Sequence, residues 1–138
     1  MNNKLIEYKD YYRAIEDSSQ AITLEPDNAA AFYRRAVAYR DLGQPLRALQ
    51  DLNRVITLSP DKEAAFYQRA VIYDTLGKPL RALQDLNRVI ELRPRYAAAF
   101  YNRGVIYDTL GETLRAIEEY DRAIELDPDY ALPFNNRG

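Results

Sequence analysis

The chain has 138 residues, of which 47% are hydrophobic and 29% are charged, and its formal net charge is −2. Such a composition is typical of a soluble globular protein, and a charge this small does not favour a nucleic-acid partner. The absence of cysteine and histidine excludes disulfides, thiol nucleophiles, imidazole bases and Cys/His zinc sites. No apolar run is long enough to cross a bilayer. We therefore expect a cytoplasmic protein with no membrane partner, no cofactor and no metal.

The first segment predicts a helix over residues 10–24. The letters YYRAIEDSSQAITL have the amphipathic spacing of the second helix in a helical pair, and only the short MNNKLIEYK precedes them. Most of a first helix is therefore missing from this segment, and we expect residues 1–28 to form a partial repeat.

A thirteen-residue sequence follows three times at a fixed interval of 34 residues. It reads AFYRRAVAYRDLG at 31–43, AFYQRAVIYDTLG at 65–77 and AFYNRGVIYDTLG at 99–111. A constant period of this length is the signature of a repeat architecture. We predict full repeats at 29–62, 63–96 and 97–130, with a truncated repeat at 131–138, in one array that covers the chain.

Each repeat predicts two amphipathic helices. In the first helix, Phe32, Ala36 and Tyr39 recur at helical spacing. The apolar residues of the second helix are expected to form one buried stripe, made of Leu46, Leu49, Leu52, Val55 and Ile56. A single pair of such helices buries too little apolar surface to offset the entropy lost on ordering. Consecutive repeats must therefore pack on one another.

Glycine and proline mark the ends of these helices. Gly43, Gly77 and Gly111 are expected to end the first helices in a left-handed conformation. Pro45 and Pro79 suit the first turn of the second helices. Further prolines end those second helices, namely Pro60, Pro94 and Pro128. Because so few residues separate neighbouring helices, the neighbours must be antiparallel.

The third repeat carries a pattern of large and small residues that points to one family. It has a large aromatic residue, glycine, tyrosine, a helix-ending glycine, alanine, a second aromatic residue, alanine and proline, at Phe100, Gly104, Tyr107, Gly111, Ala116, Tyr120, Ala123 and Pro128. The two earlier repeats match at the equivalent positions, and the whole resembles the tetratricopeptide repeat (TPR) family. The resemblance implies an all-α, right-handed superhelical solenoid of stacked antiparallel helix pairs. It also implies a protein–protein interaction scaffold and no enzyme activity.

The resemblance further implies that a peptide or protein segment binds in a concave groove lined by the first helices. Tyrosines and valines on the side of these helices opposite Phe32 would form the wall, and the variable polar residues beside them would set its polarity. The predicted groove residues are Tyr33, Arg34, Val37, Arg40, Tyr67, Gln68, Val71, Asp74, Tyr101, Asn102, Val105 and Asp108. The tyrosines could equally pack on the adjacent repeat, and the two roles are compatible.

The arginines at equivalent positions of the three repeats, Arg35, Arg69 and Arg103, depart from the family pattern, which more often has leucine there. They could anchor an acidic peptide. Alternatively, each could pair with a carboxylate of a neighbouring helix and lie over an aromatic ring, the candidate acids being Asp51, Asp85 and Glu119. We favour the second interpretation, because an arginine on an apolar face needs an acceptor whatever the partner is.

Three more specific functions are disfavoured. A branch of the family clamps the terminal carboxylate of chaperone tails, but Tyr67, Val71, Leu132 and Asn136 stand where that clamp requires Lys, Asn, Lys and Arg. Paired acids such as those at 118–119 are more often solvated charge than catalytic groups, and no nucleophile accompanies them. The acids at positions 74 and 108 of the predicted groove argue against RNA binding.

The two ends lack the polar terminal helix that normally covers the last apolar face of a repeat array. We therefore expect the chain to be a segment of a longer repeat protein. The alternative function is a structural module that dimerises or stacks through its ends, with Leu132 and Phe134 in the contact.

Overall fold

The computed structural model describes the backbone of residues 3–129 and the side chains of residues 8–129. Within that range the chain forms seven α-helices and no strand, which confirms the all-α class. The helices are α1 (Asn3–Leu24), α2 (Ala29–Asp41), α3 (Pro45–Leu58), α4 (Glu63–Thr75), α5 (Pro79–Leu92), α6 (Ala97–Thr109) and α7 (Thr113–Leu126).

Helix α1 is longer than the sequence pattern predicts. It is continuous over 22 residues, whereas the sequence pattern predicted a helix over residues 10–24. The reason is local, since no glycine or proline interrupts residues 3–24.

The predicted glycine stops are confirmed. Gly43, Gly77 and Gly111 have φ values of 77°, 75° and 82°, the left-handed region that other residues enter at a cost. After Gly43, the amide of Gln44 donates to the carbonyl of Tyr39 at 2.8 Å and closes the end of α2. Proline occupies the first turn of α3 and α5, as expected. Helices α3, α5 and α7 each end two residues before a proline.

The chain divides into two compact units, Met1–Gln68 and Arg69–Gly138, with the division inside α4. In the first unit, α2 and α3 are antiparallel. Arg47, near the start of α3, lies over the ring of Tyr39, near the end of α2, at 5.7 Å. In the second unit, α6 and α7 repeat this arrangement, with Arg115 5.5 Å from the ring of Tyr107. The repeat boundaries inferred from the 34-residue period stay a prediction.

Small residues on the second helices allow the close packing of each pair. Ala48, Ala82 and Ala116 are at most 1% exposed. Large aliphatic residues next to them complete the core, namely Leu52, Val55, Leu86 and Val89.

One expectation about this core is wrong. Leu46 is exposed and does not belong to the buried stripe, and Leu80 and Leu114 are exposed in the same way. Leu46 precedes Ala48 by two positions, and two residues span about 200° around an α-helix. It therefore lies on the side of α3 opposite the core.

Candidate functional site

The three arginines of the first helices make ion pairs with the second helix of the same pair. Arg35 donates from Nε and Nη2 to the two carboxylate oxygens of Asp51, both at 2.8 Å. Arg69 binds Asp85 in the same two-pronged way, at 2.9 and 2.8 Å. Arg103 binds Glu119 at 2.5 and 3.0 Å. The structural interpretation of these arginines is therefore confirmed.

Further contacts hold these guanidinium groups in place. Nη1 of Arg35 donates to the hydroxyl of Ser19 on α1 at 3.1 Å, and its Cζ lies 5.6 Å from the ring of Phe32. The hydrogen bond to Asp51, which is itself buried, raises the pKa of Arg35. A guanidinium with its donors directed at the protein is poorly placed to anchor an acidic peptide, so these arginines belong to the scaffold.

In the first unit, three of the predicted groove residues line a shallow surface pocket. Tyr33, Arg34 and Val37 of α2 face Tyr11 and Ala14 of α1 there. Arg34 is exposed, whereas Tyr33 and Val37 are half-buried. The surface at this point is therefore amphipathic, and it includes two residues of α1 that the repeat pattern did not indicate.

Two more of the predicted groove residues bind each other. Nη1 of Arg40 on α2 donates to the amide oxygen of Gln68 on α4. Arg40 also pairs with the adjacent Asp41, at 2.9 Å from its Nη2. The guanidinium of Arg40 is therefore hydrogen-bonded to Gln68 and ion-paired with Asp41.

In the second unit, the α4–α6 pocket brings together Val71, Asp74 and Asn102, three residues that the sequence analysis predicted to line the groove. Its volume is about 70 Å³. The rest of its lining was not predicted from the sequence and consists of Ala70, Thr75, Leu86 and Ile106. These residues form the apolar floor and one edge. None of them was among the predicted groove residues, because that prediction took only residues of the first helices on the side opposite Phe32.

The carboxylate of Asp74 is electrostatically unusual. Although the residue as a whole is exposed, its side chain lies on the wall of this pocket, and burial raises its pKa. Among the side chains of residues 8–129, none makes a hydrogen bond or ion pair with Asp74. Asp85, by contrast, is buried but paired with Arg69.

Tyr101 has a packing role that the sequence left open. Its ring lies 5.6 Å from that of Tyr120 on α7, with the planes tilted by 38°. Tyr120 is buried beneath Gly104, at a place where a Cβ would come within 2.7 Å of its ring. Burial, then the charge of Asp108, raises the pKa of Tyr120. The sequence contains an indication of this cluster, because Gly104 and Tyr120 stand where the earlier repeats have alanine and leucine.

The remaining groove residues, Tyr67 on α4 and Val105 on α6, are half-buried. Leu132, Phe134 and Asn136 lie outside the described residues. Over the part of the chain that the structure describes, no group of three acidic, histidine or cysteine side chains could hold a metal ion. None of the helices in that part has the length and apolar character of a membrane span.

Paired helices of fixed length, glycine-ended first helices and alanine contacts within each pair define a helical-repeat protein. Family models described as tetratricopeptide repeat match residues 67–131 and residues 19–50. The chain belongs to the tetratricopeptide repeat family. This confirms the resemblance seen in the sequence.

Solved structures of TPR proteins have the same fold. The chain is 26% identical to MamA, with a TM-score of 0.88 over 99% of this chain and 81% of that one. It is 29% identical to YrrB, described as a TPR protein with an unusual peptide-binding site, with a TM-score of 0.85 over 98% and 70% of the two chains. The first TPR of Spaghetti (RPAP3), bound to an HSP90 peptide, is 24% identical over 79% of this chain and 86% of that one, with a TM-score of 0.76, and shows the fold alone. No curated protein matches the chain.

Proposed function

We propose that this protein is an interaction scaffold that binds an extended segment of another protein on the first helices of its repeats. The observation that carries the proposal is the α4–α6 pocket, where Val71, Asp74 and Asn102 surround an apolar floor. A concave site with an apolar floor and a few polar groups at its edge is the usual form of a ligand-binding site. YrrB, at 29% identity, is described as having a peptide-binding site.

Half-buried tyrosine and valine side chains support the same proposal. Tyr33 presents a large amphipathic ring that lies 5.7 Å from the ammonium group of Lys62. Such a ring binds a partner with little further loss of conformational entropy, because a neighbour already restrains it. Val37 beside it is half-buried, and covering its apolar surface would contribute about 25 cal/mol per Å².

The proposal is tested by selecting ligands from a phage-displayed library of random dodecapeptides. The dissociation constant of a selected synthetic peptide is then measured by fluorescence anisotropy. Val71→Ser should weaken binding by about 5- to 10-fold, since it removes an apolar contact of roughly 1 kcal/mol or more and adds a hydroxyl. Leu80→Ser is the matched control, because Leu80 is an exposed leucine of α5 outside the predicted groove.

Two results would contradict the proposal. The first is a library that yields no peptide with specific affinity for the protein. The second is a selected peptide whose affinity falls with Leu80→Ser and is unchanged by Val71→Ser. Circular dichroism of both variants establishes that each keeps the helical content of the parent, so a change in affinity reports on the surface that was altered.

Self-association is a second candidate function, favoured by an apolar surface on α1. Tyr8 and Tyr12 are exposed large side chains, and together with Leu42 they line a shallow depression. Surfaces of this kind often mark protein contacts. Sedimentation velocity over a wide concentration range tests this candidate. Sedimentation as a monomer throughout would contradict it, and Tyr12→Lys should reduce any association observed.

A further inference from the structure

The α4–α6 pocket combines an apolar floor with one charged group. Of its seven lining residues, Asp74 is the only charged one, and Asn102 and Thr75 are the only other polar side chains. The floor is made of Ala70, Leu86 and Ile106, each of which is 1% exposed. A ligand group in this pocket would therefore meet a small apolar surface at the floor and polar side chains, one of them a carboxylate, at the edge.

The carboxylate of Asp74 has lost part of its hydration and has no partner to replace it among the described side chains. Burial raises its pKa, which means that the charged form is disfavoured where it stands. The acids at 51, 85 and 119 are each paired with an arginine, whereas no side chain among residues 8–129 pairs with Asp74. Attraction between this carboxylate and a cation of a ligand would offset part of the free energy that the carboxylate loses through desolvation.

In the first unit, the side chains at the equivalent positions bind each other. Arg40 and Gln68 occupy the positions that Asp74 and Asn102 occupy one repeat later. The guanidinium of Arg40 donates to the amide oxygen of Gln68 and to Asp41. In the first unit, therefore, the chain supplies both the cation and its acceptors. At the later positions it supplies a carboxylate and an amide only.

Size limits the groups that could enter. The pocket volume is about 70 Å³, roughly half of the ~150 Å³ apolar cavity that accommodates benzene. An unbranched hydrocarbon stem suits this space better than an aromatic ring. The stems of lysine and arginine cover apolar surface while their charged ends stay near water. An acidic side chain is disfavoured by repulsion from Asp74.

We propose that this pocket binds a lysine or arginine side chain of the partner segment, with the stem on Ala70, Leu86 and Ile106 and the cationic end at the carboxylate of Asp74. The inference rests on the proposed function, because it assigns the chemistry of one position in the bound segment. It makes Asp74 a determinant of which segments bind.

The test uses the same random dodecapeptide library, selected separately on the parent protein, on Asp74→Asn and on Asp61→Asn. The last variant is the matched control, since it makes the same chemical change at an exposed aspartate of the α3–α4 connection. Peptides selected on the parent and on the control should share a lysine or arginine at one aligned position. Peptides selected on Asp74→Asn should lack that preference, and Asp74→Lys should select acidic residues there.

A double-substitution experiment then assigns the contact. Replacing the shared basic residue of a synthetic peptide by norleucine keeps the stem and removes the charge. This change should weaken binding to the parent by about 2- to 5-fold, the size expected of a partly exposed ion pair, because the stem itself is kept. It should have little effect on binding to Asp74→Asn.

The outcomes separate the inference from the proposed function. Selected peptides that bind specifically but share no basic position overturn the inference and leave the proposed function standing. So does an equal loss of affinity with norleucine on the parent and on Asp74→Asn. Failure to select any specific peptide overturns the proposed function, and the inference with it.

Discussion

The packing of Gly104 against Tyr120 makes a sharp prediction about the second unit. In the two earlier repeats the equivalent residues are alanine and leucine, at 36 and 52 and at 70 and 86. A methyl group added at Gly104 would lie 2.7 Å from Cε1 and 2.8 Å from Cδ1 of Tyr120. Carbon atoms in good contact are about 3.5–4.0 Å apart. Gly104→Ala therefore requires Tyr120, which is only 4% exposed, to move by roughly 1 Å.

The expected free energies follow from two opposing effects. Overpacking of this kind costs about 1–3 kcal/mol, while replacing glycine by alanine inside a helix gains about 1 kcal/mol. Gly104→Ala should therefore change the stability by between about 0 and −2 kcal/mol. In the background Tyr120→Leu, which restores the alanine–leucine pair of the earlier repeats, the same substitution should stabilise the protein by about 1 kcal/mol. The coupling between the two positions is thus about 1–3 kcal/mol.

The assay is urea unfolding followed by far-ultraviolet circular dichroism on the four proteins of this cycle. Free energies come from the midpoints with a shared slope, because none of the substitutions changes the exposed area greatly. Ala70→Gly is the control, since α5 has Leu86 at the position equivalent to Tyr120. This change should cost about 1 kcal/mol through helix propensity, together with the packing lost with the methyl group. If Gly104→Ala stabilises the protein equally with tyrosine or leucine at 120, the ring does not restrict this position and the reasoning is refuted.

Three further predictions concern the ion pairs, the turns and pH. Asp85→Ala should destabilise the protein by about 3 kcal/mol in urea unfolding, because it removes the carboxylate that binds the guanidinium of Arg69 at two points. A loss below about 0.5 kcal/mol, as expected of an exposed ion pair, would contradict this. Gly77→Ala should cost about 1–2 kcal/mol in the same assay, since φ there is 75°, whereas no change would show that the turn relaxes. Asp74→Asn should raise the urea midpoint near neutral pH, with a gain that shrinks as the pH falls toward roughly 3.9; a gain independent of pH would refute the electrostatic explanation.

The sign of the pH effect follows from the direction of the shift. Burial raises the pKa of Asp74 in the folded chain, so the native state binds this proton more strongly than the unfolded state does. The stability linked to protonation is complete below the unfolded pKa and is lost as the pH rises through the folded pKa. Asparagine has no charge to bury, so its advantage exists only where Asp74 is ionised. Asp61→Asn is the control, because it makes the same chemical change at an exposed aspartate outside the pocket.

Much of the local structure could be predicted from the sequence. Glycine at the ends of α2, α4 and α6 and proline in the first turn of α3 and α5 act within one turn of helix, so the residue type alone indicates the backbone conformation. The pairing of Arg35 with Asp51 was also predictable, because a charge on an apolar face needs an acceptor within reach. The exposure of Leu46 follows from its angle around α3, which its hydrophobicity alone does not reveal.

The sequence by itself determined the 34-residue periodicity, the antiparallel helix pairs and the family, because a repeat of this length leaves few ways to bury its apolar faces. Only the tertiary structure decided which polar side chains of the first helices make hydrogen bonds or ion pairs and which do not. Arg40 is bound by Gln68, while Asp74 stands unpaired among the described side chains. The physical reason is that pairing depends on distances between helices, and a one-dimensional pattern places a residue on a face without saying what lies opposite it.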